Sequence, residues 1–349
     1  MNAVAENHVH APVAAPHPTH KLKLLLKREF WEHKGGFFWA PLVAGGISLL
    51  LTILGIIFGE IAARRAIADG HRMMVDGEVI INGLDLGALT GRLGPEEMAK
   101  LGSGIDLSLF FASAWPFLVL GFVVFFYCLG ALYDDRKDRS VLFWKSLPIS
   151  DRDTVISKGL SATLMAPILA LAASLVTMIG FMLLLSVVVL IHGGNPITLL
   201  WGPGSPLSVI SALLIGIPVY ALWALPTVGW LLLCSAWARS KPFLWAIMIP
   251  VFSGIFVSWF DITRLFDLDS SWYWKHIVGR MLLSTFPGTD LIYRDGFGRD
   301  VGDVHGALHE ISAVSAMHSL TMPGLWIGAI AGVVMIIGAI RLRRWRDDN

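Results

Sequence analysis

The sequence predicts an all-α polytopic membrane protein, with six transmembrane helices and an N-terminal amphipathic interfacial helix. Three observations predict it. Six apolar stretches, 37–59, 108–132, 159–191, 208–238, 243–261 and 323–340, reach the roughly 20 residues that a bilayer crossing needs. Inside them no Asp, Glu, Lys, Arg or His precedes the boundary residue Asp261. The chain is 55% hydrophobic and 15% charged, where an ordinary soluble domain carries about 25% charged residues. That balance, with a mean hydropathy of +0.66, excludes a plain soluble enzyme and extended disorder. The 27 Lys and Arg nearly balance the 26 Asp and Glu, so net charge gives no reason to expect a nucleic-acid partner.

Residues 1–20 are rich in Ala, Pro and His and read as a disordered tail. His8, His10, His17 and His20 offer at most a loose metal site. No cleavable signal peptide is apparent, so the first span is expected to act as an uncleaved anchor. Residues 21–36 read as a cytoplasmic interfacial helix. Leu22, Leu25, Leu26, Phe30 and Trp31 form its apolar side, and Lys21, Lys23, Lys27, Arg28 and Lys34 are its basic residues. Such a helix lies flat on an anionic leaflet. Lys21, Lys23, Lys27, Arg28, Phe30 and Trp31 are its expected membrane-surface contacts. Gly35 and Gly36 then turn the chain into the first span.

Residues 37–349 form the six-span domain. The third and fourth runs exceed the minimum span, so they tilt, kink or project. Pro167, Pro218 and Pro226 are candidate kinks. With the N-terminus inside, the inside segments hold 17 Lys and Arg and the longer outside segments 10. This asymmetry places both termini in the cytoplasm. The outer loops are 60–107 and 262–322. Val79 to Gly83 suggests a short strand or turn in the first. In the second, Trp272, Tyr273 and Trp274 suit a membrane interface, and 271–283 is expected to form an interfacial or re-entrant helix. Gly55 and Gly59 make a small-xxx-small pair that packs either within or between subunits. Cys128 and Cys234 sit in apolar runs and read as buried small hydrophobes.

The densest charge cluster is the loop 133–158. Asp134, Asp135, Arg136, Lys137, Asp138 and Arg139 mix both signs, and the amphiphilic stretch Val141 to Leu147 follows. Phe143 and Trp144 supply an aromatic anchor beside Lys145, Pro148 breaks the stretch, and Ser150 or Asp151 caps the next helix. On residue chemistry alone two readings stay open: a short helix docking into a groove of a soluble partner, and a solvated loop obeying the charge rule.

KREFWEHKGGFF before the first span and LYDDRKDRSVLFWKSLPISDRDTVISK after the second resemble the ABC-2 type exporter permeases, membrane subunits of bacterial ATP-binding-cassette transporters. The resemblance implies that 134–153 carries the coupling helix contacting an ABC ATPase subunit. It further implies a homodimer or a pairing with a second permease, ATP and Mg held by the ATPase, a short helical hairpin before the last span, and residence in the bacterial inner membrane. Catalytic residues and cofactors are not expected in this chain. It has no GxxxxGK[ST] phosphate cradle, and its spans lack the ionisable groups usual in proton- or ion-coupled carriers. Work must then come from a partner that hydrolyses ATP, and an amphiphilic cargo is mildly favoured. A competing constellation is Asp303, His305, His309 and Glu310, with His318 further on. His305 and His309 share one face if helical, as zinc ligands do, but the order HGALHE is not HExxH. A metalloenzyme and a non-transporting membrane anchor are therefore the alternatives.

Overall fold

The computed structural model describes residues 18–68, 74–75, 78–79, 86, 93–138, 150–263, 269–293 and 312–346. Among these, six helices are long and apolar enough to cross a membrane: Gly35–Arg65, Pro95–Lys137, Asp151–Ile191, Pro206–Trp237, Pro242–Thr263 and Pro323–Trp345. They are called spans one to six. The only strands among the described residues are Met74–Val75 and Glu78–Val79, one antiparallel pair in the first outer loop. All-α polytopic architecture follows because a bilayer leaves a backbone no other partner than its own helix.

Each helix has a local cause. The first begins at Pro18, inside the stretch read as tail, and runs to Glu32. A wider π turn at Gly35–Trp39 leads into span one. Pro95 opens span two, whose N-cap Gly94 donates its N–H to Glu97. Span three starts at the N-cap Ser150, whose hydroxyl accepts from the N–H of Asp153 at 3.0 Å. Its helix widens into a π turn at Ser161–Met165, just before Pro167. Such a turn re-houses the backbone bond that the proline cannot make. The 37-residue helix Pro95–Ala131 is about 55 Å long at about 1.5 Å per residue, well beyond a hydrocarbon core of about 30 Å. Its N-terminal end therefore projects.

Span two is the hub of the bundle and packs on spans one, three and four. Hydroxyls stitch it in place: Ser48 donates to the carbonyl of Ala112 at 2.9 Å, and Ser174 to that of Ser113 at 2.7 Å. Such bonds hold apolar helices together where no hydrophobic drive exists between them. Spans four and six make the most extensive helix pair. Gly229 and Gly332 allow it, because a Cβ on either would collide with the facing backbone. Gly55 and Gly59 meet no neighbour within 4 Å among the described residues. The lipid-facing sides are apolar: Phe58, Val176, Ile191, Phe256 and Trp259 are all more than half exposed.

Before the last span, Ser270–Tyr273, Trp274–Gly279 and Arg280–Leu283 form one continuous helical arm, and Ala313–Ser319 a second short helix. The arm runs down among the spans. Trp274 lies on Gly254 of span five, Phe286 on Gly121 of span two, and Thr227 of span four donates to the carbonyl of Arg280 at 2.8 Å.

Candidate functional site

The site centres on the roots of the loop 133–158. Span two ends at Ala131, and the short helix Tyr133–Lys137 continues it. Asp135 on that helix is buried, as is Lys158 at the start of span three. Lys158 Nζ lies 3.5 Å from Asp135 and 3.3 Å from Glu29 of the N-terminal helix. Lys158 and Glu29 are each 1% exposed. The phenol of Tyr127 donates to the second oxygen of Glu29 at 2.7 Å. From the last helix, Arg343 reaches Asp135 at 3.6 Å and donates through Nε to Asp151 at 3.1 Å. Five charges from four parts of the chain thus interlock. A charge this far from water persists only when paired, because desolvation costs several kcal/mol per ion.

The two acids held by Arg343 flank the middle of the charged loop, residues 139–149, with Asp135 before it and Asp151 after it. One guanidinium therefore ties both ends of the loop to span six. Arg136 adds a further anchor. It donates to the carbonyls of Leu132, Ser235 and Ala238 and so closes the C-terminal end of span four. A cation at a helix C-terminus also complements the helix dipole. Ser235 in turn accepts the N–H groups of Leu132 and Tyr133.

The sequence groups Asp134, Asp135, Arg136, Lys137, Asp138 and Arg139 in one mixed-charge cluster. The structure divides that set. Asp134, Lys137 and Asp138 are exposed, whereas Asp135 and Arg136 point inward and hold the root. Arg139, Phe143, Trp144, Lys145 and Pro148 lie outside the described residues. The interfacial helix divides too. Lys23, Lys27 and Trp31 are exposed, with Lys34 Nζ 5.2 Å from the Trp31 ring, and Lys21, Arg28 and Phe30 are half-buried. Leu25 and Glu29 are buried one turn apart on the protein side. His33, on the same face, stacks edge-on against Tyr127 at 4.7 Å. Burial holds its pKa below the ordinary value although Glu29 pulls the other way. Glu29, Lys158 and Arg343 are the functional candidates that sequence reading missed. The signal for Glu29 was an acid four residues after the apolar Leu25 in a basic helix.

An aromatic cavity of about 620 Å³ lies between spans two and four and the segment 286–291 that follows the arm, lined among others by Phe110, Trp115, Phe117, Trp223 and Phe286. Span two's aromatic run is therefore split between roles. Trp115 and Phe117 face the cavity, Phe122 meets Phe286, Phe126 stacks on Phe243, and Phe125 and Tyr127 are buried. Arg280 on the arm is buried with its guanidinium 3.4 Å over the Trp223 ring. Among the described residues no group of three or more His, Cys, Asp or Glu is placed to hold a metal. His305, His309 and Glu310 lie outside them.

Compared with known proteins, residues 108–267 match the family described as ABC-2 family transporter protein. No curated protein and no solved structure matches the chain. The matched stretch begins in span two and runs through span five, so it contains the charged loop 133–158 and both acids that Arg343 holds. That match, with six apolar helices, supports an ABC-2 type permease, an integral membrane component of an ABC transporter.

Proposed function

We propose that this permease works as an exporter, moving a substrate out of the cytoplasm with ATP hydrolysed by a separate ABC ATPase subunit. The ATPase docks on residues 134–153 and holds ATP and Mg itself. Two permease copies, or this chain and a second permease, enclose the path. Both termini face the cytoplasm of a bacterial inner membrane. The observation that carries this reading is the ion cluster at the loop's roots. A loop that only obeyed the charge rule would need no buried anchor. A loop that transmits force needs a rigid connection to the spans, and Lys158, Arg343 and Arg136 supply one to spans two, three, four and six. Small displacements at such packed joints are delivered as rigid shifts of whole helices. The aromatic cavity offers an amphiphilic substrate an apolar resting place against span two.

The test is co-purification from nanodiscs of wild type beside an Arg139→Ala/Trp144→Ala variant, scored for a P-loop ATPase. Capture by wild type and loss in the variant is the expected result. If no ATPase binds under any nucleotide condition, the reading fails.

A further inference from the structure

A second charged feature lies beside the loop root but outside the ion cluster. A cleft of about 310 Å³ opens between the short helix after span two and the turn joining spans four and five. It is lined by Tyr133, Arg136, Lys137, Ala238 and Arg239. Three cations and a phenol line it. The acids of the same helix, Asp134 and Asp138, are not among its walls. The Asp134 carboxylate instead folds back over Gly130. Arg136 is held in place by the carbonyls at the end of span four, which orient its guanidinium. The turn itself is strained. Lys241 adopts φ +47° immediately before Pro242, a left-handed conformation uncommon for a residue with a side chain. The turn thus keeps a basic residue, Lys241, where glycine would be easier on the backbone.

Depth identifies the occupant. The cleft sits where two helices end, at Ala131 and Trp237, and a third begins, at Pro242. Trp237 and Trp245, both exposed, pair edge-to-face at 5.3 Å beside it, and Phe126 stacks on Phe243 at 6.2 Å. Tryptophans mark the plane of the headgroups. A basic cleft in that plane, flanked by exposed aromatic wall, has the two halves that a phospholipid requires: donors for the phosphate and an apolar surface for the chains. We propose that this cleft binds the phosphate of an anionic phospholipid in the leaflet on the N-terminal side, with the acyl chains along Trp237, Trp245 and Phe243. The proposal rests on the cytoplasmic orientation given above, but not on any ATPase or on transport.

The test is native mass spectrometry of the purified full-length chain, titrated with phosphatidylglycerol, phosphatidylcholine or inorganic phosphate. Three proteins are compared: wild type, Lys137→Gln/Arg239→Gln, and an Arg341→Gln/Arg344→Gln control that removes the same charge from exposed positions elsewhere. Arg136 is left intact because it holds span four. Wild type and control should retain phosphatidylglycerol in preference to phosphatidylcholine. The cleft variant should bind phosphatidylglycerol on the order of twentyfold more weakly, since each juxtamembrane cation contributes about a fivefold factor. Equal retention of both lipids by wild type overturns the proposal. So does an unchanged cleft variant, and if that variant also loses a co-purifying ATPase, the cleft belongs to the ATPase. Inorganic phosphate binding as tightly as the lipid would reassign it to a soluble anion and equally overturn it.

Discussion

At the scale of single residues, His192 shows how a protonation state is read from geometry. It follows the last residue of span three, and its Nδ1 lies 2.8 Å from the carbonyl of Val188. Its Nε2 lies 3.1 Å from the Glu60 carboxylate at the outer end of span one. A carbonyl only accepts, and an ionised carboxylate only accepts, so both ring nitrogens must carry hydrogens. The Val188 carbonyl, and after it Glu60, accordingly raise the His192 pKa above its ordinary value, against the pull of burial and of Arg64. A raised folded-state pKa contributes stability that is fully present below the unfolded value and is lost as pH rises through the folded one. Wild type should therefore melt at a higher temperature than His192→Gln at about pH 6, and the gap should shrink by about pH 8. A gap of equal size at both pH values would remove the link. Lone histidines and acids of this kind are illegible in a sequence, because Glu60 and His192 are 132 residues apart and nothing local marks them as partners.

At the scale of elements, the helix pair formed by spans four and six is set by what its glycines leave out. A Cβ at Gly332 would fall on the backbone of Leu225, and one at Gly229 on Gly332 itself. Backbone cannot step aside as a flexible side chain can. Gly332→Val should therefore push the helices apart, at a cost of about 1–3 kcal/mol or more. Gly55→Val, facing no described neighbour, should cost far less within the monomer. Thermal melting of the two variants in one detergent checks this, and equal melting temperatures would contradict it. The elements themselves were largely legible. Six spans and the basic N-terminal helix follow from apolar run length and charge spacing. The segment 271–283 was expected as interfacial or re-entrant from its aromatics, and the structure gives it depth: it reaches Gly254 and Thr227 of the bundle. What the pattern did not give is helix length, because spans two and three begin before the apolar run on polar residues that the bundle tolerates at its ends.

At the scale of the whole molecule, the ion cluster is the joint between bundle and loop. Lys158 sits between Glu29 and Asp135, and its removal takes the buried cation from Glu29 and leaves Asp135 to Arg343. Lys158→Met should destabilise the protein by about 3–5 kcal/mol, the range for breaking one side of a buried ion pair. Adding Glu29→Gln to Lys158→Met should recover part of that loss, because the stranded charge is gone. Thermal unfolding of both variants tests the point. A single variant that melts like wild type would show the cluster carries no weight. The same joint explains why the loop's charges divide as they do. Asp135 and Arg136 face inward to hold the root, which leaves Asp134, Lys137 and Asp138 at the surface for whatever approaches.

By itself the sequence determined the class of the protein and the order of its parts, since bilayer thickness and helix rise translate run length directly into spans. It also singled out the loop after span two by its charge density. Only the tertiary structure decided which of those charges face inward, and that Glu29, Lys158 and Arg343 meet there. Asp151 and Arg343 are separated by 192 residues. Composition and periodicity report on neighbours within a turn or two of helix. The pairing of buried charges depends on which helix ends the packed bundle brings together.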